Sequence, residues 1–169
     1  MRIERIWAMP NKNTFDIKPI KQLILEEMGG LHELWIDPFA NKNKLATVTN
    51  DLNPAFDTDF HMDALDFVKR FGDASVHGVL WDPPYSARQI AECYHGFGIP
   101  VCQETTQGSF YSNLKKEFGR IVRPGGKVIS CSWNSGGVGK KFGFDIIRIL
   151  LVPHGSWKND TIVTVEKRM

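Results

Sequence analysis

The sequence predicts one α/β domain built on a sheet of mixed strand direction. Three observations predict it: a length of 169 residues, short apolar segments that alternate with amphipathic ones, and two C-terminal β-branched segments joined by a turn. Domains of this length usually have a single core, and a hydrophobic content of 42% is ordinary for such a core. We therefore treat residues 1–169 as one domain.

Start and stop signals bound the segments in chain order. Asp16 and Pro19 suit the start of a first helix, and Gly29-Gly30 suits its end. Arg123-Pro124-Gly125-Gly126 predicts a turn before a late strand. Helices are expected at 18–28, 64–71, 87–94 and 111–122, and strands at 34–36, 46–49, 60–62, 76–81, 127–132, 146–152 and 161–166.

Composition limits the class of protein. No apolar run reaches the roughly 18 residues that a membrane span needs. The N-terminal residues mix charge with apolar side chains, so we expect no secretory signal and a cytoplasmic protein. Three cysteines without C-x-x-C spacing argue against a disulfide framework and a zinc ribbon, and we expect no metal.

Charge is distributed unevenly along the chain. Residues 1–110 carry 10 Lys and Arg against 15 Asp and Glu, whereas residues 111–169 carry 11 against 4. A basic surplus of this kind either contacts nucleic-acid phosphates or forms an ordinary solvated helix face, and charge alone favours the second. It involves Lys115, Lys116, Arg120, Arg123, Lys127, Lys140 and Lys141.

Four carboxylates follow four successive predicted strands: Asp37, Asp51, Asp63 and Asp82. A single aspartate at such a position is most often a loop or helix cap. In open α/β sheets, however, ligands bind beyond the carboxyl ends of the strands. Four acids in register with the strands therefore predict a ligand site at that edge.

Asp82-Pro83-Pro84-Tyr85 is the most specific motif. The two prolines stiffen the chain and remove two backbone donors, which leaves the Asp82 carboxylate and the Pro83 carbonyl as acceptors. A tyrosine ring follows them. This combination suits a planar heterocycle with an amino group, because the acceptors bind the amino hydrogens while the ring stacks on the heterocycle.

The tetrapeptide resembles the Asp/Asn/Ser-Pro-Pro-aromatic motif of S-adenosylmethionine-dependent amino-methyltransferases. That family methylates the exocyclic nitrogen of adenine (N6) or cytosine (N4). Ile121–Ile129, with Arg123-Pro124-Gly125-Gly126-Lys127, resembles the segment before strand five in class I methyltransferases. The resemblance covers residues 14–166 and implies a Rossmann-like sheet, mostly parallel, with a C-terminal antiparallel hairpin.

The resemblance also implies which residues serve the cofactor, S-adenosylmethionine. Asp37-Pro38-Phe39 resembles the first cofactor motif, Asp51 stands where the family binds the ribose hydroxyls, and Asp63 matches the acid beside the adenine. Phe15 and Lys18 lie in a segment resembling the one near the methionine moiety. Leu52, Ala64 and Asp82 itself are expected beside the cofactor.

Two departures from the family pattern stand out. Asn41-Lys42-Asn43 replaces the usual glycines, although Asn tolerates a left-handed backbone better than most residues. The spacings from Asp37 to Asp51 and from Asp51 to Asp63 are too short for normal crossover helices, which must be reduced to turns.

The chain also lacks room for a recognition domain. Only residues 86–110 separate the motif from the next helix, so this segment, including Arg88, is the expected target-contact loop. Trp133 follows the fifth strand at the same edge and is expected either to border the target pocket or to pack in the core.

We therefore expect an enzyme that methylates adenine N6 in DNA by in-line displacement on a flipped base. Asp82 and Pro83 would bind the amino group and Tyr85 would stack on the base, with Pro84 fixing the turn. The alternatives are methylation of RNA or cytosine N4, or an inactive module that binds cofactor or nucleic acid. Strands one to three lack room for the two crossover helices that usually cover one face of the sheet, so we also expect a homodimer; otherwise residues 1–12 would fold back over the gap.

Overall fold

The computed structural model describes residues 1–30, 33–98, 108–155 and 159–169. Short 3₁₀ turns occupy Thr14–Asp16 and Lys140–Phe142. The helices are α1 (Lys18–Met28), α2 (Ala64–Lys69), α3 (Ala87–Gly96) and α4 (Gly108–Ile121). The strands are β1 (Arg2–Arg5), β2 (Trp35–Asp37), β3 (Val48–Thr49), β4 (Val76–Trp81), β5 (Val122–Ser132), β6 (Phe144–Val152) and β7 (Thr161–Arg168).

All seven strands form one sheet in the order β1-β6-β7-β5-β4-β2-β3. Strands β3, β2, β4 and β5 run parallel, and β7 is antiparallel to both β5 and β6. The mixed sheet with a C-terminal antiparallel hairpin is thus confirmed. Because β2, β3, β4 and β5 point the same way, the residues that follow them meet at one edge of the sheet.

Helix α1 covers one face of this sheet. It has the bounds that the sequence predicts, with a proline in its first turn and Gly29 in the left-handed conformation (φ 68°) after its last residue. Its buried Ile20, Leu23 and Ile24 share a hydrophobic cluster with Trp35 of β2, Leu80 of β4 and Ile129 of β5. The face above β2 is therefore closed by the chain's own helix.

Helices α2, α3 and α4 cover the opposite face. Phe67 of α2 and Leu114 and Phe118 of α4 pack in one cluster with Ile36 and Val79 of the sheet. Ile36 has no exposed surface. The uncovered apolar face from which a homodimer was inferred is therefore not there, and that reasoning is wrong. The homodimer itself stays a prediction, which light scattering would check.

The N-terminal segment lies far from strands β2 and β3. It forms β1, which pairs in parallel with β6 at the opposite end of the sheet, so the fold-back over a gap is wrong as well. Residues 38–47 and 50–63 contain turns and no helix, which confirms that these two crossovers are reduced. Of the expected third strand at 60–62, only a single bridge between Asn50 and Phe60 forms.

The segment Arg123-Pro124-Gly125-Gly126 lies inside β5 and is not a separate turn. Val76 of β4 pairs with Val122, but Gly78, two residues later, pairs with Lys127. The extra residues of β5 between these two pairs therefore form a bulge. Gly125 has a positive φ of 80°, and a Cβ on Gly126 would lie 2.5 Å from the carbonyl oxygen of His77. Two adjacent glycines thus let the bulge lie against the neighbouring strand.

Candidate functional site

A cavity of about 690 Å³ opens at the carboxyl edge of β2, β3 and β4. It lies between the 3₁₀ turn Thr14–Asp16 and helix α3. Most of the predicted site residues line it: Phe15, Pro38, Phe39, Asp51, Leu52, Asp63, Ala64, Asp82, Pro83, Pro84 and Tyr85. The carboxylates after successive strands therefore meet at one site, as the sequence predicts, with the exception of Asp37.

Asp37 lies beneath the cavity and is fully buried. Its carboxylate accepts hydrogen bonds from the backbone N–H of Phe39 (3.0 Å) and from Nδ2 of Asn43 (3.3 Å). Burial raises the pKa of Asp37 well above the ordinary value of a carboxyl group. Its contacts indicate that it shapes the turn after β2 and does not face a ligand.

The turn after β2 survives without the glycines of the resembling family. Asn41 takes the left-handed conformation (φ 52°), as its residue type permits. Its backbone N–H then donates to Oδ2 of Asp51 (2.8 Å), and the N–H of Asn53 donates to Oδ1 of the same carboxylate (2.8 Å). A carboxylate has about four acceptor positions, so Asp51 can accept further hydrogen bonds from a ligand in the cavity.

Asn50 is a structural residue of the site that the sequence analysis missed. It is fully buried after β3, and its Nδ2 donates to the carbonyl oxygens of Pro38 and Met62, both at 3.0 Å. Its Oδ1 accepts from the N–H of Met62 (3.1 Å). One amide thus joins the ends of β2 and β3 to the segment before α2, where the crossovers are too short for helices. Its position beside Asp51 was the signal available in the sequence.

Asp63 has two protein partners. Its Oδ1 accepts from the N–H of Leu65 (2.8 Å) and so caps α2. Its Oδ2 accepts from the hydroxyl of Tyr94, on α3. The cap is the common structural role of such an aspartate, and the second contact ties α3 over the cavity.

Asp82 is half-buried and accepts a hydrogen bond on Oδ1 from the hydroxyl of Tyr85. Burial raises the pKa of Asp82 to about 6, while hydrogen bonds from Tyr85 and Thr14 act in the opposite direction. Burial also raises the pKa of Tyr85, so this hydroxyl stays protonated and remains a donor. Thr14, a cavity residue not picked out from the sequence, is thus part of this group.

Aromatic side chains frame the Asp-Pro-Pro-Tyr turn. The ring of Tyr85 packs edge-on against Trp133, with centroids 5.3 Å apart and an interplanar angle of 61°. The hydroxyl of Tyr111 donates to the carbonyl oxygen of Pro84, and the N–H of Tyr85 donates to Oε1 of Gln89 (2.7 Å). Trp133 is 46% exposed, so it borders the site and is not a core residue.

Three other predicted contact residues do not line the cavity: Lys18, Arg88 and Trp133, of which Trp133 contacts the cavity residue Tyr85. Lys18 lies on α1 at a separate shallow groove, and Arg88 points to solvent, where it pairs with Glu92 (2.8 Å). The target-contact loop is described only to residue 98 and from 108 onward, and Gln103 and Gln107 lie outside the described residues.

Four of the seven basic C-terminal residues named above pair with acids. Arg123 and Lys127 of β5 do not line the cavity and pair with Glu33 and Glu27. Arg120 pairs with Asp73 and Glu117, and Lys140 pairs with Asp145. The solvated-face interpretation of this charge is the one that the ion pairs favour.

Within the described parts of the chain, no three His, Cys, Asp or Glu side chains cluster as they would around a metal ion. Over the same residues, no helix is long and apolar enough to cross a membrane.

No protein-family model matches the sequence, and no curated protein is detectably similar to it. Solved structures do resemble the fold. TrmN from Thermus thermophilus matches with a TM-score of 0.59 and 16% identity, over 90% of this chain and 49% of TrmN. This chain thus spans about half the length of TrmN.

A second solved structure resembles the chain over more of its own length. The 1,6-didemethyltoxoflavin-N1-methyltransferase of Burkholderia thailandensis, crystallised with 1,6-didemethyltoxoflavin and S-adenosylhomocysteine, matches with a TM-score of 0.60 and 12% identity. The match covers 90% of this chain and 77% of that one. The chain therefore has the Rossmann-like fold of methyltransferases, as its sequence predicts.

Proposed function

We propose that this protein transfers a methyl group from S-adenosylmethionine to the exocyclic N6 of adenine in DNA. The observation that carries the proposal is that Asp82-Pro83-Pro84-Tyr85 lines the cavity, with Trp133 against Tyr85. A carboxylate beside an aromatic pair suits a planar base with an amino group.

The cavity residues fit the cofactor. Its volume of about 690 Å³ falls in the range of small-molecule sites. Phe39, Leu52 and Met62 offer apolar walls for an adenine ring, and the Asp51 carboxylate has acceptor positions left for ribose hydroxyls. When bound, S-adenosylmethionine supplies an electrophilic methyl group on a sulfonium.

The chain's own residues would then orient the acceptor nitrogen. Asp82, when ionised, accepts one amino hydrogen and the Pro83 carbonyl the other, which aims the nitrogen lone pair at the methyl group. Tyr85 stacks on the base, and the stiff Pro83-Pro84 turn keeps both acceptors in place. Orientation of this kind requires no covalent bond to the protein.

A free planar heterocyclic amine is a second candidate substrate. The ion pairs of Arg120, Arg123, Lys127 and Lys140 favour it, since they leave less basic surface for phosphates. The two candidates differ in salt dependence. DNA binding through phosphates weakens steeply as salt rises, whereas binding of an uncharged heterocycle does not.

The test is incubation with methyl-labelled S-adenosylmethionine and separate pools of DNA, RNA and free nucleosides, followed by identification of the modified nucleoside. Label in N6-methyladenine of DNA supports the proposal. Label in RNA, in N4-methylcytosine or in a free nucleoside would show that the substrate is that molecule and not adenine N6 in DNA. Calorimetric binding of S-adenosylmethionine without label in any pool identifies an inactive cofactor-binding module.

A further inference from the structure

The position of the half-exposed Trp133 must be fixed by interactions other than the contact of its ring with Tyr85. Trp133 is the first residue of the loop 133–139, which follows β5, and its ring packs only edge-on against Tyr85. With 46% of its surface exposed, burial alone does not fix its position. The rest of the 133–139 loop must therefore hold it.

Glu166 of β7 anchors this loop. Its side chain is fully buried, and Oε2 accepts from the N–H of Val138 (2.6 Å) while Oε1 accepts from the N–H of Gly139 (2.8 Å). Val138 is buried in the cluster beneath the loop. The far end of the 133–139 loop is thus fixed to the centre of the sheet by two hydrogen bonds to one carboxylate.

Gly137 makes room for this carboxylate. It has a positive φ of 48°, and a Cβ at this position would lie 2.3 Å from Oε2 of Glu166. Any other residue would push the loop and the carboxylate apart. The close approach indicates that the loop conformation and the Glu166 side chain depend on each other.

A buried carboxylate on a sheet face is costly unless the surrounding groups compensate it. Burial raises the pKa of Glu166, and the two backbone donors and the positive charge of Lys115 oppose that shift. The ammonium group of Lys115 in turn lies 5.7 Å from the ring centroid of Trp81, the residue before Asp82. The anchor of the loop therefore adjoins the strand that carries the motif.

We propose that Glu166 is a positioning residue for the target pocket: through the 133–139 loop it holds Trp133 against Tyr85. The proposal rests on the proposed function, in which the target base stacks beside these two rings. Glu166 touches neither ring and acts only through the loop.

The kinetic test is a double-mutant cycle of Glu166→Gln and Trp133→Ala, with Glu117→Gln, a partly buried glutamate that pairs with Arg120, as the matched control. Glu166→Gln should raise the KM of the target roughly tenfold and leave kcat and the cofactor Kd within about twofold, since only positioning is lost. In the Trp133→Ala background the same substitution should add less than about twofold, because coupled residues are not additive. If the rise in KM in the double variant equals the product of the rises in the two single variants, the proposal is overturned.

A second variant breaks the anchor from the loop side, in case Glu166→Gln does not fold. Gly137→Ala places a methyl group against the carboxylate, while Gly72→Ala is its control, since the nearest atoms there lie at 4.0 Å. Gly137→Ala should reproduce the rise in KM and Gly72→Ala should not. An unchanged KM in Gly137→Ala overturns the proposal.

A third test uses NMR and does not depend on catalysis. The indole ¹⁵N–H signal of Trp133, assigned with Trp133→Phe, should move or broaden in Glu166→Gln while that of Trp35 stays. An unmoved Trp133 signal and an unchanged KM in an active enzyme overturn the positioning role and leave the proposed function standing. A wild-type chain that methylates nothing overturns the proposed function, and the Trp133 signal then decides alone whether Glu166 holds the loop.

Discussion

The hydroxyl of Tyr85 donates a hydrogen bond to Oδ1 of Asp82, three residues earlier in the chain. The two side chains assigned to the target therefore contact each other. An amino group that binds Asp82 would use Oδ2 or share Oδ1 with this hydroxyl. The contact ties the ring that would stack on the base to the acceptor that would bind its amine, so changes at one residue should be felt at the other.

Replacing Asp82 should remove transfer and spare cofactor binding. Asp82→Ala should lower kcat/KM by about 100- to 1,000-fold, the loss typical of one oriented hydrogen-bonding group in a transition state. The Kd for S-adenosylmethionine, measured by calorimetry, should stay nearly unchanged. The control is Asp57→Ala, because the Asp57 side chain is fully exposed and pairs only with a surface lysine. Wild-type turnover in Asp82→Ala would refute the assignment.

The rate of transfer should depend on the ionisation of Asp82. Its pKa is raised to about 6, and only the ionised form accepts an amino hydrogen with both oxygens available. Single-turnover rates should therefore fall about tenfold for each pH unit below 6 and level off above it. Asp82→Asn keeps an acceptor without a proton to titrate, so its profile should be flat over this range. A sloping profile in Asp82→Asn would place the ionisation elsewhere.

The same ionisation should affect stability in the opposite sense. Because the pKa of Asp82 is raised from 3.8 to about 6 in the folded chain, the folded state binds this proton more tightly than the unfolded state. The contribution of Asp82 to the free energy of unfolding should therefore fall as pH rises between about 4 and 6, so the wild type should lose stability relative to Asp82→Asn over this range. Urea unfolding at several pH values measures it. An identical pH dependence in the two proteins contradicts the raised pKa.

Tyr85→Phe and Tyr85→Ala should separate the roles of the hydroxyl and the ring. The hydrogen bond from Tyr85 lowers the pKa of Asp82, so Tyr85→Phe should shift the pH midpoint of the rate upward. It should keep the KM of the target, since the ring remains. Tyr85→Ala should raise that KM by the worth of one stacked base, roughly 1–3 kcal/mol. Equal KM values in the two variants would argue against stacking.

The sequence predicts the sheet because its signals are local. The bounds of α1 follow from a proline and a glycine pair, and β4 and β7 from short β-branched segments. The homodimer argument failed because it underestimated how much of the sheet the chain's own helices cover. Trp35 packs with α1, the helix directly before β2, and Ile36 packs with α2 and α4, which follow much later in the chain.

In the site, too, some residues could be predicted from the sequence and others depend on the folded structure. The acids after the strands could be found because parallel strands place their ends together, and Asp82 and Asp51 do line the cavity. Glu166 could not be found from the sequence, and Asn50 had only its position beside Asp51 as a signal, since the roles of both depend on which backbone groups surround them after folding. Lys18 was placed at the cofactor by family resemblance, and the turn of α1 directs it to another surface.

The turn at Asn41 should tolerate glycine and reject β-branched residues. Its φ of 52° costs an ordinary L-residue about 1–2 kcal/mol, and its N–H must point at Asp51. Asn41→Gly should therefore leave stability within about 1 kcal/mol of wild type and keep cofactor affinity. Asn41→Val should lose about 1–2 kcal/mol in urea unfolding and weaken S-adenosylmethionine binding.

Ala74, with a φ of 51° away from the cavity, gives the matched control. Ala74→Val should lose similar stability with an unchanged cofactor Kd, and a parallel loss of affinity in both valine variants would mean that the turn acts only through global stability.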